Sequence, residues 1–178
     1  MQLLKEDSWI QTFTGKRINV FNPKPYDISI LDIAHALSNL CRFTGHTKLF
    51  YSVAEHSCYV AEYVPPQFAL KGLLHDAAEA YLSDVSRPIK PFLTNYREIE
   101  DDLLAAIFQK FGLNSGIERE IKDYDSRLCL TEGLHMMHSI EGWKLAETFQ
   151  PILGFHFKYY SPVDAKIAFL TRFLELTQ

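Results

Sequence analysis

The segment Leu74-His75-Asp76-Ala77-Ala78-Glu79 sets a histidine directly before an aspartate inside an apolar stretch rich in alanine and leucine. Burying two adjacent ionisable side chains without partners costs on the order of several kcal/mol each, and a divalent cation that takes one nitrogen and one oxygen ligand removes most of that cost. His56, in Val53-Ala54-Glu55-His56-Ser57, and Asp125, in Lys122-Asp123-Tyr124-Asp125-Ser126-Arg127, extend the pair to two imidazoles and two carboxylates. Such a shell suits a borderline first-row cation, and four protein ligands on an octahedral ion leave positions for water and substrate. One divalent transition metal per site is expected: Mn, Co, Fe, Ni or Zn. Glu79 follows His75 by one helical turn, so on a continuous helix it faces the same side, placed to act as a general acid or base.

These residues need rigid elements to bring them together, and the hydrophobic spacing predicts helices. The first opens at Ser29, with Ile30, Ile33, Ala34, Leu37 and Leu40 on one face. Ser52-Val53-Ala54-Glu55 reads as a capping box opening a second helix that stops at Pro65-Pro66. A third is expected over residues 66–82 and carries His75-Asp76; a polar, proline-stiffened loop with Asp84, Arg87 and Lys90 follows it. A fourth covers residues 95–111 and is closed by Gly112, a fifth covers residues 117–137, and the last opens at Ser161-Pro162. Residues 139–160 read as irregular. Ahead of the helices, residues 10–13 and 17–21 flank Thr14-Gly15 as a short hairpin. With no internal repeat or linker, the expectation is an all-α bundle of about six helices in a single domain, residues 1–28 forming a small N-terminal extension to a helical core of 29–178.

The ordered set Arg42-Phe43, Glu55-His56-Ser57, His75-Asp76, Glu79, Asp84 and Asp125 resembles the HD-domain phosphohydrolases, and most closely their bacterial 5'-deoxynucleotidase branch, over residues 38–132. The resemblance implies an HD-domain helical bundle that hydrolyses phosphate esters of nucleotides, (deoxy)nucleoside 5'-monophosphates first, at a metal held by His56, His75, Asp76 and Asp125. It gives Glu79 a proton-transfer role and has Asp84 orient the nucleophile or help bind the sugar. Arg42 would hold a phosphate through its fork of donors, with Lys90 and Lys48 as weaker candidates for the same role; Phe43 would stack on a base or pack the pocket wall, and His46, in the loop after it, would touch substrate. It also implies a homodimer. Asp125 is preferred to Asp123 because the run from Arg127 to Glu132 then fits the family's Asp-x-Arg-Leu-x-x-x-Glu; Glu132 itself reads as structural. Two departures stand out. Phe43 replaces the usual tryptophan, and the short spacing between His56 and His75 removes part of a pocket wall. Thr14-Gly15-Lys16-Arg17 and Asp32-Ile33-Ala34-His35 resemble an extension of phage and bacterial relatives, able to close over the site and supply Lys16 or Arg17 to a phosphate.

Two alternatives remain open at the level of sequence. A deoxynucleoside triphosphate triphosphohydrolase would draw on Lys16, Arg17, Arg42, Lys48, Arg87 and Lys90, and a non-catalytic nucleotide sensor would keep the pocket without the chemistry. The formal net charge of -4 and pI near 6.0 disfavour a nucleic-acid polymer as partner. No phosphate-cradling glycine motif occurs, which removes a kinase or ATP-driven motor. Residues 1–7 lack the apolar core of a signal peptide and no apolar run approaches the ~18 residues of a membrane span, so a cytoplasmic protein with no membrane contact is expected. Cys41, Cys58 and Cys129 read as reduced, packed thiols. His35 reads as a core histidine. His135 and His138 have metal-like spacing but no carboxylate partner, and read as packing residues.

Overall fold

Ile33, Ala34 and Leu37 recur at helical spacing, and in the computed structural model, which describes residues 5–178, they form the buried face of α1 (Ile30–Asn39). Before it, β1 (Ile10–Gln11) pairs antiparallel with β2 (Arg17–Ile18), Ile10 opposite Ile18. The hairpin is present but shorter than its sequence span: Ile18 is buried in the core, and Val20 packs against it half-buried beyond the last paired residue. Its turn is tied down from the outside. Thr14 donates its backbone N–H and its hydroxyl to the Asp32 carboxylate at 2.7 and 2.9 Å, and Phe13 stacks on His35 with ring centroids 3.8 Å apart.

Helix α2 (Val53–Tyr63) is the centre of the bundle, packed by α1, by α3 (Ala69–Leu73), by α6 (Arg119–Met136) and by α8 (Pro162–Thr177). One apolar cluster, with Leu37, Val53, Leu73, Leu74, Ile107 and Phe169, lies on one side of it. A second, with Tyr51, Tyr59, Ile121, Leu128 and Phe155, lies on the other. Gly72 lets α3 close onto α2: a Cβ there would sit 3.1 Å from Val64 and 3.4 Å from Val60. The remaining helical segments are α4 (Glu79–Leu82), α5 (Tyr96–Lys110) and the single turn α7 (Leu145–Thr148). α5 stops as expected, with Gly112 at positive φ and the Leu113 N–H returning to the Phe108 carbonyl at 2.9 Å. α8 opens as expected too, the Ser161 hydroxyl accepting from the Asp164 N–H at 3.2 Å.

The single helix expected over residues 66–82 is not one helix. α3 ends at Leu73, the chain turns through residues 74–78, and α4 begins at Glu79. The cause is local: the His75 ring donates from Nδ1 to the Gly72 carbonyl at 2.7 Å, and tighter bonds follow, Ala77 N–H to Leu74 and Glu79 N–H to Asp76, each at 3.0 Å. A side chain thus replaces the backbone partner that would have continued the α-helix. Among the described residues no helix is long and apolar enough to cross a membrane.

Candidate metal centre

Two neighbouring residues on α2 face opposite ways. Ser52 caps the helix by accepting from the Glu55 N–H at 3.1 Å, as its sequence predicts. The Glu55 carboxylate, however, reaches across the bundle, accepting from the Tyr59 hydroxyl at 2.7 Å and from the N–H groups of Lys158, Tyr159 and Tyr160 at 3.2, 2.9 and 2.9 Å. It therefore fixes the approach to α8. His56, on the other side, is wholly buried and meets the turn after α3 and the middle of α6.

His56, His75 and Asp125 present ligand atoms that all lie within 4.8 Å of one another and could hold a metal ion. Both imidazoles are aimed by their Nδ1 atoms. His56 Nδ1 is 2.6 Å from Glu132 Oε1, and since an ionised carboxylate only accepts, the proton sits on Nδ1. His75 is held the same way by the Gly72 carbonyl. Each ring consequently turns Nε2 inward, and both Nε2 atoms are buried without an aligned hydrogen bond. They nevertheless crowd carboxylate oxygens: His56 Nε2 lies 3.2 Å from Asp125 Oδ1, and His75 Nε2 lies 3.1 Å from Asp76 Oδ2 and 3.9 Å from Asp125 Oδ1. Close approach without directed hydrogen bonds is the arrangement a cation relieves, and the donor set fits a borderline divalent ion. Asp76 stands beside the triad, its Oδ2 also 3.7 Å from His56 Nε2 and 3.7 Å from the Arg42 guanidinium.

Electrostatics follow from this crowding. Burial works to lower the basicity of His75, but Asp76 and Asp125 outweigh it and raise its pKa to about 10. Asp125 is held well below its ordinary value by His56 and His75 against the opposing effect of burial. Glu132, with no exposed surface, is brought down to about 2: burial opposes ionisation, and His56 and Arg42 overcome it.

The sequence marks Arg42 as a phosphate fork. In the structure it is buried, with one arm on Glu132 Oε2 at 3.1 Å and the other near Asp76. Phe43 follows in the left-handed region (φ 53°), as does Thr44 (φ 51°), a conformation costing on the order of 1–3 kcal/mol for such residues. The Phe43 ring lies 5.8 Å from that of Trp143. His46 sits just beyond the turn, exposed. Lys48 bonds the His135 carbonyl at 3.2 Å, Lys16 the Tyr26 carbonyl at 3.3 Å, and Arg17 lies over the Trp9 ring. The N-terminal hairpin therefore docks on α1 with its two cations engaged locally, rather than offering them to the centre.

Glu79 is buried at the start of α4, its Oε1 3.4 Å from Lys90 Nζ and its Oε2 without a partner. Burial, then Asp76 and Asp84, raise its pKa well above the carboxylate range against Lys90 and Arg42. Lys90 in turn bonds Glu100 at 2.8 Å. Asp84 is also raised, burial being the main cause. It is aimed by Ser83, whose backbone (φ 72°, ψ 157°) occupies a region ordinarily left to glycine.

Sequence reasoning does not assign Glu132 its work, although it stands two turns after Asp125 on one face of α6, a spacing available as a signal. Nor does it find the contact of Arg87, whose guanidinium donates to Asp125 Oδ2 at 2.9 Å, or Trp143; no local pattern announces either. A cleft of about 660 Å³ between α2 and α8, lined by Cys58, Glu62, Asp164 and Arg172 among others, includes none of these residues.

The chain is 36% identical over 172 residues to the uncharacterized protein YfdR of Escherichia coli K12, an alignment covering 96% of this chain and 97% of the relative. It is 33% identical over 187 residues to the uncharacterized protein RCAP_rcc00048 of Rhodobacter capsulatus, covering 93% of each. No family model matches the chain.

Proposed function

For a chain that belongs to the family of YfdR and RCAP_rcc00048, we infer a metal-dependent phosphohydrolase that cleaves nucleotide phosphate esters, (deoxy)nucleoside 5'-monophosphates first, in the cytoplasm. One observation carries this reading: two buried imidazoles, each fixed through Nδ1, converge their unpartnered Nε2 atoms on Asp125 beside a buried carboxylate of raised pKa. His56, His75 and Asp125 would hold the cation, with Asp76 as a fourth ligand. Such an ion supplies Lewis-acid activation of water and neutralises charge at a phosphoryl group. Glu79, neutral at pH values where an ordinary glutamate is ionised, holds a proton for the leaving oxygen, and Lys90 keeps its carboxyl in place. Asp84, brought to the same side by the strained Ser83, orients the attacking water or the sugar. Arg42 ties Glu132 to Asp76 and so braces the ligands.

The placement of the cations supports a monophosphate over a triphosphate. Of the six that a triphosphate site would have drawn on, Lys16, Arg17 and Lys48 are engaged elsewhere and Arg42 faces inward. Arg87 and Lys90 remain near the carboxylates. The test is product analysis of metal-stripped protein, with Mn, Co or Zn restored, against nucleoside mono-, tri- and cyclic phosphates. Orthophosphate from monophosphates is the expected result; intact triphosphate released from a deoxynucleoside triphosphate moves the reading to the triphosphohydrolase, and no product with any metal overturns both.

A further inference from the structure

The phosphate role expected of Arg42 has no open donor face to act through, since that guanidinium is buried between Glu132 and Asp76. A different arginine stands where such a role can be performed. Arg87 donates one arm to Asp125 Oδ2 at 2.9 Å, while the other oxygen of the same carboxylate faces the His56 and His75 rings. Its side chain is 54% exposed, whereas those of Asp125 and Asp76 are 19% exposed and those of both histidines no more than 5%. Arg87 thus marks the side on which the centre meets solvent. Next to it in the chain, the Ser86 hydroxyl lies 3.4 Å from the hydroxyl of Thr44, a residue in the left-handed region two positions after Arg42. A planar fork of five donors, only one of them engaged with Asp125, therefore borders the ligand cluster, with the Ser86 hydroxyl next to it in the chain and paired with that of Thr44.

We propose that Arg87, with Ser86 and Thr44, forms an oxyanion-binding rim over the metal centre, and that Arg87 is the residue that grips the phosphate of an incoming monoester dianion. When a cation takes Asp125, the negative charge facing Arg87 is shared, and the guanidinium is released to make charge-assisted bonds to the non-bridging oxygens. Lysine cannot substitute fully, because a point charge lacks the two parallel donors. The inference rests on the metal reading of the centre.

The experiment is calorimetric titration of inorganic phosphate into the metal-loaded protein, alongside a separate titration of Mn into the metal-stripped protein, for wild type, Arg87→Ala and Arg87→Lys. The rim predicts that Arg87→Ala weakens phosphate binding about 10- to 100-fold, the scale of a lost charge-assisted bond, and that Arg87→Lys falls between. Mn affinity should stay the same or rise, because a cation beside the ligands has been removed. Phosphate affinity unchanged in Arg87→Ala, or no phosphate binding by the metal-loaded wild type, overturns the proposal. A loss of Mn affinity matching the loss of phosphate affinity also overturns it, by making Arg87 a brace for Asp125. Failure of every metal to bind removes the centre itself, and Arg87-dependent phosphate binding without nucleotide hydrolysis leaves the rim standing while the hydrolase reading falls.

Discussion

The Nδ1 of His56 and the Oε1 of Glu132 are 2.6 Å apart in the interior, joined by the Tyr51 hydroxyl at 2.8 Å on the same oxygen. Glu132 thereby fixes one ring nitrogen of His56 and determines that the other faces the ligand cluster. Glu132→Gln keeps the volume but can present its amide to a ring that needs an acceptor, and it leaves Arg42 without its main counter-charge. Metal affinity, read by competition with a chromophoric chelator, should fall about 10- to 100-fold, the range for lost outer partners of a metal-bound histidine. An unaltered affinity would show that Glu132 serves folding alone.

Glu79→Gln separates chemistry from binding. The residue is not one of the three converging ligands, and burial already disfavours the charged form of its carboxyl, so the amide preserves shape and takes the place of a group held above its ordinary pKa. Metal affinity should hold while turnover drops roughly 10²-fold or more, the scale of a lost general acid-base group. Turnover equal to wild type would remove Glu79 from the reaction.

Protons and metal compete for the same atoms, and the sign of the effect can be worked out. His75 is raised from 6.5 to about 10 when no cation is bound, so its contribution to stability is full below about pH 6.5 and is lost as pH climbs through about 10. Asp125 is depressed, so its contribution is present above about pH 4 and is lost as pH falls through its lowered value. The metal-stripped protein should therefore melt at its highest temperature between about pH 4 and 6.5. Metal binding must displace the His75 proton and strengthens with pH. The gap in Tm between Mn-loaded and chelator-treated protein should widen from about pH 6 to about pH 9, with proton release detectable by calorimetry in buffers of different ionisation enthalpy. A gap that narrows over this range would contradict the assignment of His75 as a ligand.

His75-Asp76 is legible because two ionisable groups are costly in an apolar stretch, while Asp125, in a polar run, is legible only through the family pattern that follows it; His56, His75 and Asp125 do converge. Helix starts at Ser52 and Ser161 and the stop at Gly112 are legible for a related local reason: a cap is written in a few adjacent residues. The break at residues 74–78 is not, since leucines and alanines around His75-Asp76 favour a continuous helix. The break depends on the His75 ring bonding the Gly72 carbonyl three residues back, a side-chain competition with the backbone that helix propensity does not encode. Glu55 shows the same limit. Its sequence completes a capping box with Ser52, but its carboxylate finds three N–H groups at residues 158–160, far along the chain. Arg42 and Arg87 are alike as letters; only packing puts one inside against Glu132 and the other at the mouth against Asp125.

Gly133 lies within α6, where glycine costs roughly 0.5–1 kcal/mol relative to alanine. Helix propensity alone predicts that Gly133→Ala stabilises the protein. The packing predicts the opposite, because a Cβ would stand 2.7 and 2.8 Å from two ring atoms of Trp143 and 2.9 Å from Ile140. Trp143 would have to move away from α6 and from Phe43, at the usual overpacking cost of about 1–3 kcal/mol. Gly133→Ala should lower Tm, and pairing it with Trp143→Leu should recover much of the loss by removing the ring that clashes. If the single variant melts at or above the wild-type temperature, the Trp143 ring is not held against α6, and the aromatic wall beside Phe43 is not fixed by this contact.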